Sequence, residues 1–425
     1  MLFDRIEQRN PGLLHAAFEL HQSGAIPAAT YVLDLDAMAH NGRLMAQEAS
    51  RLGLRVYAMT KQDGHNPYVG AVLRAQGIEK FVAVETIQAH VLHRYRLPLG
   101  HVGHLSNVPR HQVERILSYD PDVVTVHSVA AARRISDASR AVGRVQPVYV
   151  RVNRPEDHHF EGMVGGWHVD ACVEGIRPIL DLPNVRLAGL TTHPAIEYTE
   201  PLAATARPAD GFFTMLRGKE LLEAAFGIDG LRVNCAANCN TRTFATLARH
   251  GATDMEPGGA IAGSTYFEDL LELPAQVYVS EVMHEWDGRV HTLGGGLGFV
   301  FSPSGSRPRC MVGRDYESAR GRFMELTATG VIDYHGACTP PPGPAPHVGD
   351  TAVYAFGGPQ IYVTRCYVAA VTGIANGQAR VAGLFDCAAN ELDGDLQPVP
   401  YAETQARIDA LVADRYATPA VSGHA

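Results

Sequence analysis

Long apolar runs are missing from this 425-residue chain. No uninterrupted stretch approaches the roughly 20 residues that cross a bilayer, so no membrane span is expected. The opening Met1-Leu-Phe-Asp-Arg-Ile-Glu has neither the basic start nor the apolar core of a secretory leader. Cysteine is sparse: seven residues, an odd number, scattered and without a CxxC pair. They read as free thiols in a reducing cytoplasm. Positive charge is in deficit, with 36 Lys+Arg against 45 Asp+Glu and a net charge of −9, so nucleic acid is not the expected partner. There is no short-period repeat and no extended low-complexity tract. What the chain does have is 46% hydrophobic and 19% charged residues. That is the composition of a globular protein, and the length predicts two domains.

Residues 1–25 read as a helical lead-in, with apolar positions at Ile6, Leu13, Leu14, Ala17 and Leu20. Strand and helix patterns then alternate for about 240 residues. Strands are expected near 55–60, 80–84, 102–105, 123–127, 148–152, 187–192, 231–235 and 252–256. Helices such as Thr86–Tyr95 and Val129–Val142 lie between them. Eight such β/α repeats predict a closed parallel barrel. The earlier apolar run Tyr31–Leu35 fits either the entry to the barrel or the second domain. After about residue 270 short β-like runs dominate: Gln276–Met283, Val290–Leu293, Thr351–Phe356, Ile361–Val363, Val368–Val371 and Arg380–Leu384. The expected architecture is therefore α/β: a lead-in over 1–25, an N-terminal (β/α)8 TIM-like barrel over 26–270, and a C-terminal mainly-β domain over 271–425. The last of these ends in a helix, Ala402–Tyr416.

Chemistry in a β/α barrel sits at the C-terminal ends of its strands. Lys61, Glu85, His104, His127, Arg151, His193, Asn234, Asn238 and Glu256 all fall there. A lone lysine is more often a solvated surface group, but Lys61 follows a buried strand and precedes Gln62-Asp63-Gly64. A lysine in such a pocket loses its proton more easily and can form a Schiff base. Glu256 opens Glu256-Pro257-Gly258-Gly259-Ala260, where backbone N–H groups can face an anion. Asn234-Cys235-Ala236-Ala237-Asn238 ends the preceding strand, and loops at these two places commonly hold phosphate. An amine for an aldehyde, a carboxylate for a ring nitrogen and a turn for a phosphate together predict pyridoxal 5'-phosphate. The pairs His101/His104, His158/His159 and Cys235/Cys239 lack an evident third ligand, so no metal is expected.

These residues resemble the alanine racemase-like, or fold type III, family of pyridoxal-phosphate enzymes, and within it a bacterial branch described simply as alanine racemase-like. Val56–Lys61 resembles its Schiff-base strand, Val82–Thr86 its second strand, Gly189–His193 its ring-contacting histidine strand and Asp254–Gly263 its closing phosphate turn. The resemblance implies that Lys61, His104, Arg151, His193, Asn234, Ala236, Asn238, Glu256, Gly258 and Gly259 surround the cofactor. Gly357–Tyr362 resembles a C-terminal segment whose tyrosine, here Tyr362, reaches the phosphate. It also implies a homodimer with active sites at the interface. Ile332–Cys338 resembles a loop that delivers an acid/base across that interface, which makes Tyr334, His335 and Cys338 candidates. Alanine racemases carry arginine at the place of Glu256, and their strand-five lysine is here Arg151. Alanine itself is therefore not the expected substrate. The expected activity is an amino-acid racemase or epimerase acting at Cα through Lys61. The rivals are a decarboxylase or aldolase-type lyase on the same scaffold, and a non-catalytic carrier of the cofactor.

Overall fold

The computed structural model describes residues 2–198, 206–265, 270–297, 307–330 and 332–417. Eight parallel strands form the first domain: β1 (Arg55–Ala58), β2 (Lys80–Ala83), β3 (Leu99–Val102), β4 (Val123–Val126), β5 (Gln146–Asn153), β6 (Val185–Thr192), β7 (Arg232–Ala236) and β8 (Asp254–Glu256). Each pairs with the next, and β8 returns to β1 through Met255 opposite Val56, closing the barrel. Strands buried on both faces read as near-continuous apolar runs, which is why β4, Val-Val-Thr-Val, shows no alternation. The third strand starts three residues earlier than expected. Gly103 leaves it with φ 85°, and an added Cβ there would meet the Ser106 carbonyl at 2.9 Å. His101 is thus a strand residue and His104 belongs to the loop.

The second domain is antiparallel. Residues 276–286, 289–293, 335–339, 323–329, 309–313 and 351–354 pair in a ring. The sheet then continues from 276–286 through 30–34, 367–372, 380–385 and 391–392. The run at Thr30–Asp34 therefore belongs to this domain, antiparallel to Gln276–Val279 and parallel to Tyr367–Val371. The helices Leu2–Arg9 and Pro11–Gln22 also pack here. Phe3, Ile6, Leu13, Leu14 and Phe18 cluster with Val32, Val277, Met311 and Val353. The expected boundary at residue 26 is corrected accordingly: the barrel begins after residue 34, because the lead-in buries its apolar face on the antiparallel sheet. The final helix, Tyr401–Arg415, is corrected in the other sense. It lies on the barrel, where the Tyr416 hydroxyl donates to Asp36 at 2.6 Å and Gln76 donates to the Tyr416 carbonyl. Ile361–Val363 is a short 3-10 turn and not a strand, closed by the Thr364 hydroxyl donating to the Ile361 carbonyl at 2.6 Å. Among the described residues, no helix is long and apolar enough to cross a membrane.

Candidate active site

A cavity of about 560 Å³ opens at the C-terminal mouth of the barrel, within the size range of small-molecule sites. Lys61, His104, His193, Ala236, Asn238, Glu256, Gly258, Gly259 and Tyr362 all line it. Both domains contribute, the second through Gly357, Gly358, Gln360, Tyr362 and Val363. Lys61 reaches the cavity because β1 ends at Ala58 and a short turn, Lys61–Asp63, follows. That strand end is tied to the last one by the Met59 amide donating to the Pro257 carbonyl at 2.9 Å. Burial pushes the Lys61 amine below its ordinary range, partly offset by the Glu256 charge.

Glu256 is the centre of a buried polar network. Its Oε1 accepts from Asn234 Nδ2 at 2.8 Å and makes a close contact with His101 Nδ1. Thr191 in turn donates to Asn234 Oδ1 at 2.7 Å. His101 Nδ1 faces a carboxylate and so carries the proton, which leaves Nε2 to accept from the Thr125 hydroxyl at 2.6 Å. Glu256 Oε2 has no hydrogen-bond partner, with the unpartnered His104 Nδ1 3.6 Å away. One oxygen is clamped and the other is left for a donor in the cavity.

At the opposite end the chain turns sharply after β7, with Ala237 and Asn238 both left-handed at φ 69° and 60°. Asn238 Nδ2 donates to the Ile196 carbonyl at 2.8 Å. Gly258 lies so near the Gln62 amide that an added Cβ would come within 2.8 Å of its oxygen. That oxygen is buried without a partner. The cavity thus has unpartnered polar atoms at the floor, Glu256 Oε2, His104 Nδ1 and His193 Nδ1, and has the turns at Ala236–Asn238 and Gly258–Gly259 in its lining. Buried polar atoms call for partners. The set suits a flat ligand with a ring nitrogen at one end and an anion at the other, so these residues fit pyridoxal phosphate.

Several expected residues stand elsewhere. Asn234 and Arg151 are buried and do not line the cavity. Arg151 donates to the Met163 carbonyl at 2.8 Å and the His193 carbonyl at 3.0 Å, and burial lowers its pKa to about 10. Glu85 caps the helix Thr86–Arg94 by accepting from the amides of Ile87 and Gln88. His127 contacts Asn107 outside the cavity. Tyr334 and His335 are exposed; Tyr334 lies over the Arg365 guanidinium and His335 is edge-on to His284. Cys338 is corrected as a cross-interface group. It is fully buried in its own sheet, with its Sγ 3.2 Å from the Tyr354 hydroxyl. Residues 335–339 form a strand, and the two-residue period turns Cys338 inward. His101 and His104, which lack a third partner in sequence, find it in Glu256: ligand atoms of the three lie within 4.8 Å. The contact between His101 and Glu256 is a direct hydrogen bond. Gln62, Phe160, Met163, Tyr198, Thr265 and Gln360 line the cavity without having been anticipated. Loop residues carry no periodic signal, and His101 was missed because the strand that holds it was expected to begin after it.

The imidazoles of His65 and His193 are pushed down to about 3 from 6.5, chiefly by burial, with Lys61 adding to the effect. As pH falls below 6.5 the unfolded chain takes up protons that these folded imidazoles refuse, so stability is lost on acidification toward pH 3. Each contributes a loss of about 2 kcal/mol at pH 5. Urea midpoints of the cofactor-free protein at pH 7 and pH 5 measure this. His193→Asn should flatten the dependence; an unchanged slope would contradict the assignment.

Residues 33–265 match the family model described as alanine racemase, N-terminal domain, and residues 277–381 match that described as YhfX-like, C-terminal domain. The uncharacterized protein YhfX of Escherichia coli (strain K12) is 30% identical over 404 residues, covering 92% of this chain and 100% of that protein. Among solved structures, D-threonine aldolase from Filomicrobium marinum is similar with TM-score 0.63 at 18% identity, covering 86% of this chain and 96% of its own. D-threo-3-hydroxyaspartate dehydratase from Delftia sp. HT23 follows at 0.60 and 18%, covering 84% and 97%. An alanine racemase of Clostridium difficile 630 stands at 0.57 and 13%, covering 83% and 97%. At these identities the structural likeness speaks for the fold alone.

Proposed function

The chain belongs to the alanine racemase-like, fold type III family, and we propose that it is a pyridoxal-phosphate-dependent racemase or epimerase acting at Cα of an amino acid. The observation that carries this reading is the pairing of Lys61 with Glu256 in one cavity: a buried amine of lowered basicity and a carboxylate with one clamped and one unpartnered oxygen. When bound, the cofactor supplies an electron sink for the pair left at Cα when its proton departs. Lys61 would hold the cofactor, and its Nζ would take or return the Cα proton on one face. Glu256 Oε2, which has no other partner, would accept from the cofactor's ring nitrogen and favour its protonated form. Asn234 and His101 keep the carboxylate from turning. The N–H groups of the turns at Ala236–Asn238 and Gly258–Gly259 would hold the phosphate.

The second proton carrier is Tyr334 of a second copy of the chain, in a homodimer with shared sites. Tyr334 is 62% exposed and does not line its own cavity, which supports its serving the cavity of a second copy. Sedimentation of the cofactor-loaded protein should give the mass of two chains. A fully active monomer would contradict this part of the reading.

A carbon–carbon lyase is the second reading. It is favoured by the two imidazoles His104 and His193, whose rings lie 5.6 Å apart at the floor and are kept neutral by burial. Either could accept a hydrogen bond from a β-hydroxyl group. Incubation with amino acids in deuterated water separates the readings. Racemase activity gives deuterium at Cα and the mirror-image amino acid with the carbon skeleton kept. Release of aldehyde or carbon dioxide would favour a lyase.

A further inference from the structure

We infer that the substrate is a neutral amino acid with a large apolar side chain, an inference that rests on the amino-acid reading above. The large apolar and aromatic wall residues of the cavity are Phe160, Met163 and Val363, with Met59 and Tyr198. Met163 is 39% exposed and Val363 41% exposed, although both line the cavity. Apolar side chains left facing an open site gain most from a ligand that removes them from water.

The wall is built and held. Its loop is pinned by Arg151 donating to the Met163 carbonyl at 2.8 Å and by Asn153 donating to the Gly165 carbonyl at 2.6 Å. Gly166 allows the close approach, since a Cβ there would strike the Arg151 carbonyl at 2.1 Å and its φ is 101°. Phe160 packs against the His193 ring at 5.3 Å, which fixes it over the floor. Among the described lining residues, the titratable groups other than tyrosine are Lys61, Glu256, His104 and His193. An acidic or basic substrate side chain against the wall would lose hydration without gaining a counter-charge from these residues. A side chain as small as a methyl group would leave the wall uncovered.

The test is a titration of the pyridoxal-phosphate-loaded protein with both enantiomers of leucine, phenylalanine, alanine, aspartate and lysine. The visible spectrum of the cofactor reports binding, and deuterium at Cα is measured separately. Leucine and phenylalanine should half-saturate at concentrations about tenfold or more below those for aspartate and lysine. Phe160→Ala should raise the value for phenylalanine several-fold more than it raises that for alanine. Val363→Lys, at an exposed position less critical to folding, should narrow the gap for aspartate. Charged amino acids saturating at equal or lower concentrations would overturn the inference. Saturation by apolar amino acids without Cα exchange keeps the substrate class and sinks the racemase reading. Exchange confined to charged amino acids does the reverse, and a cofactor spectrum that responds to none of the ten overturns both.

Discussion

Lys61→Ala should abolish the visible absorbance of the covalently held cofactor and lower Cα–H exchange by at least about 10³-fold, roughly 4 kcal/mol of barrier. The amine sits at the mouth of β1, largely buried, with its proton affinity lowered by loss of water. Two functions are lost together, the attachment and the proton carrier, and groups that act as a unit do not add. The fold should survive, since no described hydrogen bond or ion pair of the Lys61 side chain holds the barrel together. An absorbance spectrum and a turnover assay on the purified variant check both parts. Full retention of a covalently attached cofactor in Lys61→Ala would remove the residue from the site.

Glu256→Gln should keep the cofactor bound yet slow turnover by about 10²-fold, near 2.7 kcal/mol. The reasoning is geometric. Asn234 and His101 both donate toward Oε1. A glutamine must therefore leave its oxygen with those two donors, and its NH2 group takes the place of Oε2. The cavity then meets a donor where it had an acceptor, and the negative charge that favours a protonated ring nitrogen is gone. Cofactor retention should hold, because Lys61 and the phosphate turns are untouched. Turnover equal to that of the parent would make the carboxylate structural.

Much of this was legible in the residues. The repeat of strand and helix patterns fixes a closed parallel barrel, because eight buried strands with intervening helices have few other arrangements. Lys61 and Glu256 were readable because each follows an apolar run at a strand end. Less visible was anything that depends on a distant neighbour. Thr30–Asp34 is a fully buried five-residue run, and nothing local tells which sheet it joins. Ile361–Val363 has strand-like residues but sits after Gly-Gly-Pro-Gln, and tertiary packing turns it into a single helical turn. His101 and His104 lack a third partner in sequence because that partner, Glu256, stands 155 residues from His101 and meets it only across the barrel. Cys338 was misplaced because a motif resemblance does not record the alternation of a strand, which turns its thiol into its own sheet.

The most direct measurement is borohydride reduction of the wild-type protein loaded with pyridoxal phosphate, followed by digestion and mass mapping. The central claim is that Lys61 carries the cofactor at the mouth of the barrel. The account predicts that the reduced cofactor's added mass falls on the peptide containing Lys61. An adduct on another lysine, or none in a protein that retains the cofactor, would contradict it.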